Sequence, residues 1–295
     1  MIETAERITR ALNGSWYGRY GTAACPVCQS EGRKTQNALT LADGSNGRLL
    51  LNCKKTGCDF RDILAAARIF PGDPAQSDPA LIAQREHHRK AEAEKRSRQA
   101  QEVWNEAHSI QGTLAETYLR GRGITAALSP TLRFHPSCWH GPSAQRHPAL
   151  VARIADGDGF AVHRTYLCAD GRQKAILEGG NKLMLGMARG GHVLLAEGAG
   201  PLVVAEGLET ALSLASGLLR APATIWGALS ASGMSALHLP KVPGEMTVAT
   251  DGDEAGRAAG HSLATRASAQ GWTVSLLPAP EGRDWNDILN MKGAA

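Results

Sequence analysis

Two stretches decide the fold: PLVVAEGLET, from Pro201 to Thr210, and MTVATDGDEAG, from Met246 to Gly256. Each is a short apolar run that ends in a carboxylate, turns on a glycine and opens a helical pattern. Strands that alternate with helices lie parallel, so Glu206, Asp251 and Asp253 should all stand at the carboxyl ends of their strands, where open α/β sheets place ligands. Carboxylates gathered there repel one another. A divalent cation stabilises such a cluster, and hard carboxylate oxygens suit Mg²⁺ or Mn²⁺. Taken singly, Glu206 reads better as a helix-capping acid, and Asp251 and Asp253 as an acidic turn around Gly252; it is the set in this order that points to a metal site.

Working outward, the pattern predicts a strand at 201–205, a helix at 207–218, a strand at 223–227, a helix at 231–237, a strand at 246–250, a helix at 254–269 and a strand at 272–277. GRDWNDIL follows, with Asp284 and Asp287 opening the last helix. Glu209, three residues beyond Glu206, is placed either to join the site or to face solvent.

Upstream, residues 113–190 read as a basic, β-rich region after a helix in TLAETYLRGRG. TLRFHPSCWH, PALVARIA, GFAVHRTYL, QKAILE and HVLLAEG each have strand character. Arg120, Arg122, Arg164, Lys174 and Lys182 lie in this region, and Arg164 and Tyr166 share one face of their strand. Cys138 and Cys168 have no partner at ligand spacing and read as packing residues. Residues 71–112 form a turn-rich boundary and a long charge-laced helix from Ala80 to about Ser109, read as a solvated connector.

In residues 1–70 a helix over Thr4–Leu12 precedes CPVC (Cys25, Cys28), a hairpin with its turn at 43–47, and CKKTGC (Cys53, Cys58); a helix at 61–69 closes the segment. Two close cysteine pairs on two turns joined by a hairpin are the pattern of a structural Cys₄ zinc ribbon. The first histidine is His87, so the cysteines are the soft ligands this segment offers. Arg33, Lys34, Arg48, Lys54 and Lys55 flank them and are placed to hold a phosphate backbone. Trp16, Tyr17 and Tyr20, interleaved with Arg19, suit base stacking or packing against the metal module.

The 295 residues carry a net charge of +4 that is unevenly spread: the segments 1–70 and 71–190 are each +4, and 191–295 is −4. An acidic end that needs cations behind a basic remainder suits an enzyme acting on a polyanion. No apolar run is long enough to cross a bilayer and no signal-type leader is present, so no membrane partner and a cytoplasmic location are expected. No Walker-type phosphate loop is present, which excludes a helicase motor within these residues.

A strand ending in Glu-Gly followed by one ending in Asp-x-Asp resembles the Toprim domain of bacterial-type primases, topoisomerases and some nucleases. With the zinc ribbon and basic β-rich region before it, and with the stretches YLRGRGI, VHRTYL, GRQKA, NKLMLG and VVAEGLETAL, the chain resembles bacterial-type DNA primases, closest to the short primases of phages and plasmids. The resemblance implies a zinc ribbon over 1–70, a helical linker over 71–112, a mixed α+β basic subdomain over 113–190 and a Toprim α/β domain with a central parallel sheet over 191–295. It implies synthesis of short RNA primers on single-stranded DNA from nucleoside triphosphates, with a separate helicase or replication initiator as partner.

In that reading Glu206 lies nearest the reacting centre and Asp251 and Asp253 hold the metal. Asp284 matches the acid of the family's final element, with Arg283 in place of its lysine. Arg164, Lys174 and Lys182 are assigned to template or triphosphate. Two positions depart from the pattern: Thr210 stands where the family often has Asp, and Asn286 where it has a second acid, with Asp287 beside it. Fewer acids predict one well-held metal at Asp251 and Asp253, with others recruited alongside the triphosphate. The rival readings are a Toprim nuclease, in which the same acids activate water, and a non-catalytic zinc-ribbon protein that binds single strands.

Overall fold

The computed structural model describes residues 4–31, 37–44, 49–69 and 79–293. It is a mixed α/β structure that divides into two compact units, Met1–Ala91 and Glu92–Ala295.

In the first unit, α1 (Ala5–Ala11) begins where the Thr4 side chain accepts from the Arg7 N–H. The strands β1 (Ser15–Trp16), β2 (Tyr20–Ala23), β3 (Leu39–Asp43) and β4 (Leu49–Cys53) pair antiparallel in that order, and α2 (Phe60–Ala66) follows. The hairpin read from the sequence is β3–β4; its turn at 45–48, with Arg48, and the residues Arg33 and Lys34 lie outside the described residues. Alternation sends Leu39 and Leu41 inward against Ile8, Ile63 and Cys53, while Leu50 and Asn52 face out. The aromatic group divides: Trp16 packs against this core, and Tyr17 and Tyr20 stay exposed with ring centroids 5.2 Å apart.

Helix α3 (Pro79–Glu106) enters the second unit. The reading of this helix as a solvated connector fails over its last turns, where Ala100, Trp104 and Ala107 are buried at helical spacing. They cover an antiparallel sheet of five strands in sequence order: β5 (His108–Ser109), β6 (Leu132–His140), β7 (Gln145–Ile154), β8 (Ala161–Tyr166) and β9 (Lys182–Gly186), with α4 (Leu114–Gly121) between β5 and β6. All six residues of β8 are buried because both faces of the sheet are covered. One face carries Ala149, Val151, Val162 and Tyr166 toward α3; the other sends Leu132, Leu150, Ala152 and Ala161 into a core shared with α4 and the second sheet.

That second sheet has the order β10 (Val193–Ala196), β12 (Thr224–Gly227), β11 (Leu202–Ala205), β13 (Glu245–Thr250), β14 (Thr273–Pro278). All pairs are parallel except the edge strand β10. The helices are α5 (Leu208–Ser213), α6 (Ala231–Ala236), α7 (Glu254–Ala269) and α8 (Trp285–Gly293). Three elements differ from the sequence reading. HVLLAEG is β10, the antiparallel edge of the parallel sheet. QKAILE is a loop held to β8 by one bridge, Leu167 to Lys174. The helix expected over 207–218 is α-helical only to Ser213; it widens into a π turn over Leu214–Leu218 and breaks at Gly217, whose φ of 99° is left-handed.

Candidate metal and nucleotide site

In the first unit one sulfur from each of Cys25, Cys28, Cys53 and Cys58 lies within 4.8 Å of the others, and Cys28 Sγ is 3.5 Å from Cys53 Sγ. Sulfurs on a tetrahedral zinc with bonds of about 2.3 Å stand roughly 3.8 Å apart, so the cluster fits such an ion. Burial opposes ionisation of Cys53, yet the backbone N–H groups of Thr56, Cys58 and Lys55 hold its thiol down to about 5. Burial pushes Cys25 up to about 12. A cation bound among them supplies the charge that Cys25 needs to ionise. Lys54 and Lys55 are exposed beside the cluster. Among the described residues these cysteines are the one set of three or more His, Cys, Asp or Glu side chains gathered so closely.

In the second unit the parallel strands β11 and β13 are neighbours, in register from Leu202–Met246 to Ala205–Ala249. Glu206 leaves the end of the first and Asp251 the end of the second. Asp253 is the N-cap of α7, its Oδ1 accepting from the Gly256 N–H at 2.6 Å. A Cβ on Gly256 would lie 2.8 Å from Glu206 Oε2 and 3.1 Å from Asp253 Oδ1, so the bare glycine lets both acids approach one point. Glu206 Oε2 is buried without a hydrogen-bond partner.

The final element closes on the same point through backbone. The Gly252 N–H donates to the Arg283 carbonyl at 2.8 Å and Gly282 N–H to the Gly252 carbonyl at 3.1 Å. A Cβ on Gly252 would collide with the Pro280 carbonyl, which is why the residue between the two aspartates is glycine. Asp284 is thereby carried near enough to Asp251 to help raise its pKa. Asp284 and Asp287 also cap α8 reciprocally, Asp284 Oδ1 accepting from Asp287 N–H at 2.8 Å and Asp287 Oδ2 from Asp284 N–H at 3.1 Å. Arg283 is exposed and touches the Met291 sulfur.

The electrostatics record the convergence. Burial raises the Glu206 pKa, and Asp251 and Asp253 raise it further. Burial likewise raises Asp251, with Asp284 and Asp253 adding to the shift, while the Thr210 hydroxyl and Lys182 oppose it. Glu206, Asp251, Asp253 and Asp284 offer the hard oxygens that a divalent cation takes, one of them buried without a partner, though they are not drawn together as closely as the four cysteines.

The two departures from the family pattern have structural roles. Thr210 Oγ1 donates to Asp251 Oδ1 at 3.0 Å. Asn286 is fully buried and its Nδ2 donates to the Arg122 carbonyl at 2.8 Å and to Ser213 Oγ at 2.9 Å, a donor task that a carboxylate cannot perform.

The cations divide by sheet face. Lys182 is opposite Thr165, on the face that looks toward the parallel sheet. It donates to Glu209 Oε2 at 2.9 Å, and Lys174 donates to Glu209 Oε1 at 3.5 Å. Glu209 faces neither solvent nor the other acids: it is 6% exposed and also accepts from the Tyr118 hydroxyl at 2.7 Å. Arg164 lies on the opposite face, 7% exposed, with its Nη1 donating to the Trp139 carbonyl at 3.1 Å and its guanidinium 5.7 Å from the Tyr166 ring centroid. Cation and ring do share a face, but α3 covers it, so Arg164 has little surface to offer a template. Tyr118 was not singled out from the sequence, Arg122 was named only among the basic residues of its region, and Thr210 only as a departure from the family pattern. YLRGRG marks Tyr118 as the apolar face of a short helix, and nothing local distinguishes a phenol that holds a carboxylate from one that fills a core.

Residues 201–295 match the family model of the Toprim domain, and residues 94–195 match a model described as a domain of unknown function (DUF7146). The C-terminal segment is a Toprim domain. Several solved structures are similar to the chain. A DNA primase domain from Pseudomonas aeruginosa shares 19% identity over 62% of this chain and 69% of its own, with a TM-score of 0.38. The zinc-binding and RNA polymerase domains of the Aquifex aeolicus primase share 16% over 98% and 79%, with a TM-score of 0.40. The primase fragment of the bacteriophage T7 primase-helicase protein shares 14% over 93% and 98%, with a TM-score of 0.36. No curated protein matches the chain. Among the described residues no helix is long and apolar enough to cross a membrane.

Proposed function

We propose that this chain is a DNA primase, joining nucleoside triphosphates into short RNA primers on a single-stranded DNA template. The observation that carries the reading is the convergence of Glu206, Asp251, Asp253 and Asp284 at the carboxyl ends of the Toprim strands, with Lys174 and Lys182 beside them. In this reading residues 1–70 are a zinc ribbon that binds nucleic acid through Lys54, Lys55 and the exposed Tyr17 and Tyr20. Residues 113–190 and 191–295 together form the catalytic core. Asp251 and Asp253 hold Mg²⁺ or Mn²⁺, which when bound neutralises charge on the triphosphate and on the pyrophosphate leaving group.

The chain's own residues supply the rest. Glu206, its pKa raised by burial and by its acidic neighbours, is suited to accept the proton of the attacking 3′-hydroxyl. Thr210 fixes the Asp251 carboxylate in one orientation. Lys174 and Lys182 bring positive charge to the phosphates, and Arg283, exposed next to Asp284, extends it toward the template. A cytoplasmic setting, a separate helicase or replication initiator, and a role in replicating a phage, plasmid or similar element complete the proposal.

Incubation with single-stranded DNA, labelled nucleoside triphosphates and Mg²⁺ or Mn²⁺ tests it. Template-dependent oligomers are expected from the wild type and not from Asp251→Ala. Strand cleavage without any triphosphate would establish a nuclease instead. Single-strand binding that Glu206→Ala leaves intact, with no synthesis under either metal, would establish a binding protein.

A further inference from the structure

Glu209 is the most buried acid of the second unit's polar interior, and both its oxygens are committed. Oε1 takes the Tyr118 hydroxyl at 2.7 Å and Lys174 Nζ at 3.5 Å, and Oε2 takes Lys182 Nζ at 2.9 Å. Its partners come from three places: α4, the loop after β8, and the start of β9. Glu209 itself is one turn beyond Glu206, on the helix that opens from the end of β11. One carboxylate therefore ties the basic sheet to the helix that issues from the catalytic strand.

The charges do not balance. Arg122 is near enough to act on Lys174, whose pKa is lowered first by burial and then by Lys182 and Arg122 against the pull of Glu209. The two lysines that contact Glu209 leave about one positive charge over at this carboxylate, before the acids of the neighbouring cluster are counted. A pair kept only for the fold would have no need of the surplus. The side chains of Lys174 and Lys182 remain 29% and 36% exposed, and each ammonium has three donors of which Glu209 uses one. On the same sheet face Thr165 Oγ1 and His163 Nδ1 are buried without partners. Lys182 also acts on Asp251, so this basic wall and the acidic cluster belong to one site.

We propose that Glu209 is a positioning residue that holds Lys174 and Lys182 together, facing the acids, as the binding site for the terminal phosphates of a nucleoside triphosphate. The proposal rests on the primase reading for the identity of the anion, but it makes a separate demand on binding. Glu209 does not touch the substrate; it prevents two like charges from swinging apart into solvent. With the clamp in place a triphosphate meets a preformed pair of ammonium groups and has only its own freedom to lose.

The test uses the full chain, zinc-loaded, with Mg²⁺ and a non-hydrolysable nucleoside triphosphate as the probe. Glu209→Gln keeps the size of the side chain and removes its charge. The expected result is a Kd weakened about tenfold, with primer synthesis showing the same rise in KM and a kcat changed by less than about threefold. Combining Lys182→Gln with Glu209→Gln should weaken binding by less than the two single effects added together, because part of the glutamate's effect runs through Lys182 and the rest through Lys174. A Kd for Glu209→Gln within twofold of the wild type, a loss confined to kcat, or additive effects in the double variant would overturn the proposal. If Glu209→Gln does not fold, Tyr118→Phe removes one hydrogen bond from the clamp; a Kd weakened a few-fold supports the proposal and an unchanged Kd defeats it. Wild-type protein that binds the triphosphate but makes no oligomers would sink the primase reading and leave the clamp standing, whereas wild type that binds no triphosphate would sink the clamp.

Discussion

Replacing Asn286 with Asp changes one NH₂ to an oxygen at a position that is fully buried. Asn286 Nδ2 donates to the Arg122 carbonyl and to Ser213 Oγ, so it fastens the loop after α4 and the end of α5 to the first turn of α8. In the variant an ionised carboxylate would face the Arg122 carbonyl, oxygen against oxygen. Losing two buried hydrogen bonds costs about 1 kcal/mol each, and leaving the carbonyl unpaired adds about 1–3 kcal/mol. The carboxylate can lower this cost by taking up a proton and donating to one of the two partners, which raises its pKa. The net destabilisation expected at neutral pH is about 3 kcal/mol, a fall of roughly 6–12 °C in Tm for a unit of this size. Because the new acid has a folded-state pKa above its unfolded value, the penalty is present at neutral pH and shrinks as pH falls through the folded pKa. Thermal and urea melts of wild type and Asn286→Asp at pH 5 and pH 8 measure it. A loss under about 1 kcal/mol at pH 8, or a loss that does not shrink at pH 5, would refute the donor role assigned to Asn286.

Thr210→Val keeps the shape of the side chain and removes the hydroxyl that lowers the Asp251 pKa; Mn²⁺ binding at neutral pH should weaken about threefold to tenfold, read by titration calorimetry, with little change in melting. Removing zinc with a chelator, or substituting Cys58→Ser, should expose the first unit to proteolysis while Glu92–Ala295 keeps its own melting transition. Since the folded pKa values of Glu206 and Asp251 are raised, protons compete with the cation at pH values above the ordinary carboxylate range of about 4, and Mn²⁺ affinity should begin to fall there as pH decreases. Without metal the same two acids destabilise the fold when ionised, so the metal-free protein should gain stability as pH falls through that range. Glu209, held well below the usual range, contributes stability that is fully present above the ordinary carboxylate pKa of about 4 and is lost progressively as pH falls below it, completely only in far stronger acid.

The parallel sheet was legible because each strand is a short apolar run that ends at a turn residue and hands over to a helical period. β11, β12, β13 and β14 fall where those runs fall. The strand pairing of β10 was not legible: HVLLAEG alternates as an edge strand should, but alternation records a face and not the sheet it joins. QKAILE alternates too, yet its backbone bonds back only through Ala175 to Tyr166 and Gln173 to Cys168, and the loop serves to deliver Lys174 to Glu209. The buried end of α3 had its signal in Ala100, Trp104 and Ala107 at helical spacing, hidden beside the charge-laced run from Arg85 to Arg98.

The positions of Glu206, Asp251 and Asp253 followed from the chain, because Glu206 and Asp251 each directly follow a strand and Asp253 caps the helix that comes next. Asp284 could be matched by pattern, but its approach depends on two backbone hydrogen bonds, from the Gly252 N–H to the Arg283 carbonyl and from the Gly282 N–H to the Gly252 carbonyl. The roles of Thr210 and Asn286 were out of reach for a related reason: their partners are dozens of residues away, and a hydroxyl or an amide in sequence does not show what it donates to. The same holds for Arg164, whose strand face was read correctly while the helix that covers that face could not be.

The account depends on carboxylates from separate segments sharing one divalent cation. Mn²⁺ titration followed by electron paramagnetic resonance, on the full chain without nucleotide and then with a non-hydrolysable nucleoside triphosphate, tests that directly. One tight site that is lost in Asp251→Ala, with further binding only when the triphosphate is added, is the predicted result. Mn²⁺ binding indifferent to Asp251→Ala, or two tight sites before any nucleotide is present, would contradict it.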